Sequence, residues 1–168
     1  LLIEWRQAWA EECNRFLALN GLDLRVDHRT LAEQAIPLEP QHKIGPAASR
    51  VDLERLADHQ RIARENGERL LQDPQIALKS ITQQQSTFTT ADLARFINRH
   101  TVDAQQFAAV FELVKSQTNI VKLGLDDKQQ ERFSTKEMLS LESKMLEQAN
   151  ILVAKQQHAI TIDDSIKH

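Results

Sequence analysis

The stretch from residue 75 to residue 157 carries helical and β-type patterns in a fixed order, and this order constrains the fold most. Its best amphipathic helix begins near Asp103 and has this apolar stripe: Phe107, Val110, Phe111 and Val114. A β-branched segment follows at 119–125, then a polar turn, then a return segment near 131–134. These patterns predict a helix connected to one short β-ribbon.

Helix-start signals predict further helices before and after the ribbon. A short apolar helix is predicted at 75–85, and Thr89 with Asp92 three residues later predicts the start of the next. A capping box at 134–137 opens a last helix. Three helices followed by a two-stranded ribbon are typical of a winged-helix module. We therefore expect a mainly α chain: a helical connector, then a winged-helix-like accessory domain at 75–157 and a frayed tail at 158–168.

The first half of the chain predicts two longer helices around an irregular segment. One helix covers 2–20, with a broad apolar face and Gly21 as its C-cap; the face consists of Leu2, Trp5, Trp9, Phe16 and Leu19. We interpret the two tryptophans as core residues; the alternative is that they pack on a domain outside this chain. Prolines make 22–46 irregular, and a long linking helix is expected at 47–74.

Composition excludes several classes of protein. The 168 residues contain no apolar run near 18 residues and no secretory signal, so neither a membrane span nor export is expected. A single cysteine, Cys13, cannot form an internal disulfide, which fits a reducing cytoplasm. The net charge of −3 argues against indiscriminate nucleic-acid binding. Any DNA contact must therefore be local.

Three motifs carry a resemblance to a known family. They are RVDHRTL at 25–31, EPQHKIGP at 39–46 and STFTTADL at 86–93. In this order they resemble conjugative DNA relaxases of the MobA/MobL type, in the large TraA-like form fused to a helicase. The resemblance implies that residues 1–46 are the C-terminal end of the relaxase domain and that the chain continues to the start of the helicase region. The family-motif residues are Arg25, Asp27, His28, Arg29 and His42.

The catalytic groups that the resemblance implies for the whole protein are missing from this chain. Such a relaxase needs a tyrosine nucleophile and a His-x-His metal site, but the chain has no tyrosine, and no two of its histidines lie two residues apart. A helicase needs a Gly-rich phosphate loop ending in Gly-Lys, and none of the four glycines precedes a lysine. We therefore expect no catalytic residues, no metal site and no cofactor here, although the parent resembles a DNA-nicking relaxase fused to an ATP-dependent helicase.

Asp27, His28 and His42 could also be considered as metal ligands, because Asp and His suit divalent cations. Their spacing is irregular and their region is loop-like. We instead interpret Asp27 as orienting Arg29 or a neighbouring backbone amide.

A small set of cations could bind DNA weakly. It consists of Arg95, Arg99, Lys122, Lys128 and Arg132. They lie on the second helix of the predicted module and on its ribbon, where a wing would meet a phosphate backbone. We expect weak, salt-sensitive binding to single-stranded DNA; the alternative is that these are ordinary surface charges. The third helix has Lys115 as its only cation, which disfavours sequence-specific duplex recognition.

The favoured function is a non-catalytic connector and accessory region of a relaxase-helicase that supports DNA processing during plasmid mobilisation. Its expected partners are single-stranded DNA, the remainder of the polypeptide and the coupling protein of a type IV secretion channel, with no membrane contact. One alternative is a protein-interaction module for recruitment to that channel, which would show exposed apolar helix faces. Another is an independent DNA-binding regulator, which requires a clear basic face.

Overall fold

The computed structural model describes residues 1–42 and 53–154. The helices of this part of the chain are α1 (Leu2–Leu19), α2 (Leu53–Gln72), α3 (Gln75–Gln84), α4 (Thr90–Arg99), α5 (Ala104–Lys115) and α6 (Lys136–Ala154). The strands are β1 (Phe88–Thr89), β2 (Ile120–Leu125) and β3 (Glu131–Thr135). The expectation of a mainly helical chain is confirmed. The predicted start of the linking helix at 47 and the tail at 158–168 lie outside the described residues.

A small antiparallel sheet contains the expected ribbon. β2 pairs with β3, as predicted, but β1 also pairs with β3, so the strand order is β1-β3-β2. The prediction of a sheet with only two strands was therefore wrong. Phe88 in β1 lies opposite Phe133 in β3, with stacked rings 6.1 Å apart between centroids, and this pair holds the extra strand in place.

The hydrophobic core lies between this sheet and helices α3, α4 and α5. Its fully buried side chains include Phe88, Leu78, Ile97, Val110 and Val114. α2 packs on α5 from the other side and contributes Leu70 to the same core cluster. The linking helix thus rests on the module that follows it in sequence.

Gly67 marks the closest approach of α2 to α5. Glycine inside a helix favours a bend or a frayed end, but α2 continues through Gly67 to Gln72. A Cβ atom on Gly67 would overlap the side-chain amide of Gln106 in α5. That amide donates to the Arg64 carbonyl at 2.9 Å and accepts from the Val102 amide at 3.0 Å. The glycine therefore makes room for a polar contact between the two helices.

Capping explains where the middle helices begin. Thr89 and Asp92 form a reciprocal capping box at α4, and Asp103 accepts from the Gln106 amide at the start of α5, as the sequence predicted. The last helix starts one residue later than its predicted box. Thr135 accepts from the Met138 amide, whereas the buried Ser134 donates to the Ser86 carbonyl.

The two terminal helices expose their apolar faces. Trp5 and Trp9 on α1 are 67% and 56% exposed, so the interpretation of both as core residues was wrong. α1 ends at Leu19 with Asn20 as its C-cap; Gly21, the predicted C-cap, is the next residue and has a φ of +66°. On α6, Leu141, Met145 and Leu152 are also exposed. Periodicity predicted the apolar faces correctly, but within the described residues no element covers either face.

Candidate nucleic-acid interface

The segment that follows α1, residues 23–26, is hydrogen-bonded to residues at the end of α3. Asp23 Oδ2 accepts from the Ser86 amide at 3.0 Å and from the Ser86 hydroxyl at 2.7 Å. The Arg25 amide donates to the Gln84 carbonyl at 2.7 Å. On its other side, Asn14 of α1 forms two hydrogen bonds with the Val26 backbone, at 2.8 and 2.9 Å. Residues 23–26 therefore lie along the surface beside α3 as an extended segment.

This segment and helix α4 form one groove. A cavity of about 160 Å³ has Leu24 on one side and Arg95, Phe96 and Arg99 on the other, with Gln84 in its wall. Arg25 directly follows Leu24 and is exposed. The structure thus brings the family-motif segment beside two of the predicted DNA-binding cations, which the sequence placed on separate surfaces.

The cation of Arg95 is partly neutralised by a carboxylate. Arg95 Nη1 lies 3.1 Å from Asp92 Oδ1. Burial alone would raise the pKa of Asp92, but hydrogen bonds from Thr89 and the charges of Arg95 and Arg132 hold this pKa below its ordinary value. Asp92 therefore stays ionised between the two guanidinium groups and links α4 electrostatically to the sheet.

Two of the cations on the ribbon are also paired with carboxylates. Arg132 Nε lies 3.1 Å from Asp126 Oδ2, and Lys122 forms an ion pair with Glu131. The Gln130 and Lys128 amides and the Arg132 side chain lower the pKa of Asp126, outweighing the effect of burial. Of the five predicted cations, only Arg99 and Lys128 have side chains without an ion pair among the residues that the structure describes.

The family-motif residues form two local pairs. Asp27 accepts from the Arg29 amide at 2.9 Å and from the Arg29 guanidinium at 2.6 to 3.1 Å. The prediction that Asp27 orients Arg29 and a backbone amide is confirmed, and the hydrogen bond from Arg29 lowers the pKa of Asp27. His42 instead contacts Asp58 on α2, at 3.0 Å. Half-buried His28 has no hydrogen bond within 1–42 and 53–154, and those ranges hold no cluster of three potential metal ligands.

Comparison with known proteins finds a family model for the first part of the chain and relatives along most of it. The family model described as MobA/MobL matches residues 1–54. The conjugal transfer protein TraA of Agrobacterium fabrum is 30% identical over 93% of the chain, and that of Rhizobium radiobacter is 31% identical over 88%. Residues 1–54 therefore belong to the MobA/MobL family. The resemblance to conjugative relaxases seen in the sequence is thereby confirmed.

The match covers only a small part of the relatives. The chain spans 16% of the length of the A. fabrum protein and 15% of that of R. radiobacter. Mobilization protein A of Escherichia coli is 47% identical over 27% of the chain. No solved structure matches the chain at a significant level.

Among the described helices, none is both long and apolar enough to cross a bilayer.

Sequence reasoning missed two features of the chain. One is the groove between residues 23–26 and α4. It depends on hydrogen bonds that Asp23 accepts from Ser86 and that the Arg25 amide donates to Gln84, each about sixty positions away. The other is a cluster of carboxylates around Arg61, whose guanidinium lies 2.8 to 3.0 Å from Asp58, Glu39 and Glu65. The only sequence signal for this cluster was the four-residue spacing of Arg61 and Glu65.

Proposed function

We propose that this chain is a non-catalytic connector of a plasmid conjugative relaxase-helicase and that it guides single-stranded DNA during mobilisation. The observation that carries the proposal is the groove that joins Leu24 and Arg25 to Arg95 and Arg99. A strand in this groove would pass between the segment matched by the family model and the helical module that follows it.

The second half of the chain supports a winged-helix-like module within this connector. Helix α3, strand β1, helices α4 and α5 and strands β2 and β3 follow one another, with the order β1-β3-β2 in the sheet. In such modules the third helix can enter a DNA groove. Here α2 packs against that helix, α5, and holds it through Gln106 and the Arg64 carbonyl. A helix covered in this way favours guidance of a single strand over recognition of a duplex.

The charges favour weak binding. A phosphate that approaches Arg95, Arg132 or Lys122 has to compete with Asp92, Asp126 or Glu131. Of the five predicted cations, Arg99 and Lys128 alone offer side chains that are not already in an ion pair with a described residue. With so few phosphates neutralised, affinity should fall steeply between low and moderate salt.

Fluorescence anisotropy with a labelled single-stranded oligonucleotide tests this proposal. The chain should bind at low salt, and reversing Arg99, Lys128 and Arg132 to glutamate together should lower affinity roughly tenfold or more. The slope of log K against log salt should flatten by about 0.7 for each phosphate contact removed. Reversing Arg6, Arg64 and Lys144 to glutamate changes net charge equally at exposed positions elsewhere.

The matched triple variants decide between a local site and a general charge effect. The control triple should lose no more than a few-fold in affinity, since exposed charges more than about 10 Å from a phosphate are largely screened at 0.1 M salt. Equal losses in the two triples, or no binding by the unaltered chain at low salt, would overturn the proposed groove.

The connector role also predicts that the chain has neither nicking nor ATPase activity. The purified chain should neither nick supercoiled plasmid in the presence of Mg²⁺ nor hydrolyse ATP, because it has no tyrosine, no His-x-His and no Gly-Lys phosphate loop. Agarose-gel and phosphate-release assays measure both activities. Plasmid nicking that follows the chain through successive purification steps would contradict the proposal.

The exposed face of α1 favours a second candidate function, docking on another protein such as the coupling protein of a secretion channel. Trp5 and Trp9 are the only tryptophans of the chain, so intrinsic fluorescence reports on this face alone. The isolated chain should emit like tryptophan in water, and a bound coupling protein should shift this emission to shorter wavelength. Emission that is already blue-shifted in the monomer would rule out an open docking face.

A further inference from the structure

A second cavity lies behind the groove. It has a volume of about 260 Å³, below the roughly 300–1,000 Å³ of pockets for drug-sized molecules. The segment 31–41 closes it on one side and helices α3 and α4 on the other. Gln84, Phe96 and Arg99 line this cavity as well as the groove, so the two are neighbours. The space suits a single ring system.

The lining combines an aromatic ring, an unused hydrogen-bond donor and a cation. Phe96 is half-buried, and its ring centroid lies 4.7 Å from that of His100. Gln41 Nε2 is buried without a hydrogen-bond partner among the described residues. Because a buried amide without a partner is costly, its position at this cavity indicates a ligand that accepts a hydrogen bond. Arg99 at the edge provides positive charge next to this donor.

We propose that this cavity binds one unstacked base of the single-stranded DNA, an inference that rests on the proposed function. The Phe96 ring stacks on the base, because every base has a π-face for an aromatic side chain. Gln41 Nε2 donates to an exocyclic carbonyl oxygen of the base. Arg99 binds the phosphate of the same or the adjacent nucleotide. Thymine, guanine and cytosine have such a carbonyl and adenine does not, so the site should bind thymine more tightly than adenine.

Oligonucleotides with and without bases test the stacking. The unaltered chain should bind an oligo-dT strand roughly fivefold or more tightly than an abasic strand of equal length, in the range typical of base–aromatic stacking. Phe96→Leu should remove most of this difference between the two strands. Phe111→Leu is the matched control, because Phe111 stacks on Phe107 in α5, away from the cavity lining.

A second variant keeps the test independent of the aromatic core. Gln41→Leu should weaken binding of oligo-dT several-fold, bring it close to that of oligo-dA and leave abasic binding unchanged. Equal affinity of the unaltered chain for oligo-dT and abasic strands would overturn the base site and leave the groove intact. Failure to bind either strand would overturn the proposed function itself. Displacement of the probe by free thymidine monophosphate as effectively as by oligo-dT would mark a site for free nucleotides and contradict a strand site.

Discussion

Replacing Asn66 with alanine should lower the free energy of unfolding by about 3 kcal/mol, since two partly buried backbone groups lose their partners at about 1–3 kcal/mol each. Asn66 on α2 is fully buried. Its side chain accepts from the Glu39 amide and donates to the Glu39 carbonyl, both at 2.8 Å. The Asn66 amide thus satisfies the backbone of the irregular segment in the way that a neighbouring strand would. Alanine has neither the hydrogen-bond donor nor the acceptor.

Urea denaturation followed by circular dichroism measures this effect. Asn98→Ala is the control, because Asn98 is an exposed asparagine within helix α4 and should change stability by no more than about 0.5 kcal/mol. Similar small changes for both variants would show that the contact between segment 31–42 and α2 contributes little to the fold.

The chain should lose about 3 kcal/mol of stability through His100 alone as pH falls from neutral toward 4. His100 ends α4 and is only 7% exposed; burial, and secondarily the charge of Arg99, lower its pKa from 6.5 to about 4. The unfolded chain therefore binds the proton more tightly than the folded chain. The contribution is fully present above about pH 6.5 and is lost between there and pH 4, at roughly 1.4 kcal/mol per unit of pKa difference.

Denaturation of the unaltered chain and of His100→Leu at pH 7.5, 5.5 and 4 isolates this group. Aspartates with lowered pKa values, such as Asp92 and Asp126, also lose stability in acid, but they are present in both proteins and cancel in the difference. The stability of the unaltered chain should fall faster than that of the variant over this window. Parallel pH profiles would mean that His100 does not stay neutral in the folded chain.

Local signals in the sequence predicted the helices well. The Thr89–Asp92 box and the Asp103 cap act within one turn, and the β-branched pair at 120 and 121 predicted the ribbon. Strand β1 was missed because two residues are too few to show alternation. Its place depends on the pairing of Phe88 with Phe133, which are far apart in sequence.

The groove could not be predicted in the same way. The asparagines at 14 and 66 each bind the backbone of an irregular segment, and Asp23 binds Ser86, but nothing in their local patterns indicates these partners. Periodicity also predicted that α1 has an apolar face without showing whether this chain covers it. The exposed Trp5 and Trp9 show that it does not.

An NMR titration of the isotope-labelled chain with a short oligo-dT strand tests the single-strand groove most directly. Backbone and arginine side-chain signals should shift at residues 24–25, at 84–87 and on α4, including the Nε–H groups of Arg25, Arg95 and Arg99. The signals of α1 and of the second half of α6 should stay in place, and the shifts at the groove should disappear at moderate salt. Shifts confined to α1, or spread evenly over all exposed cations, would contradict the groove as the path of the strand.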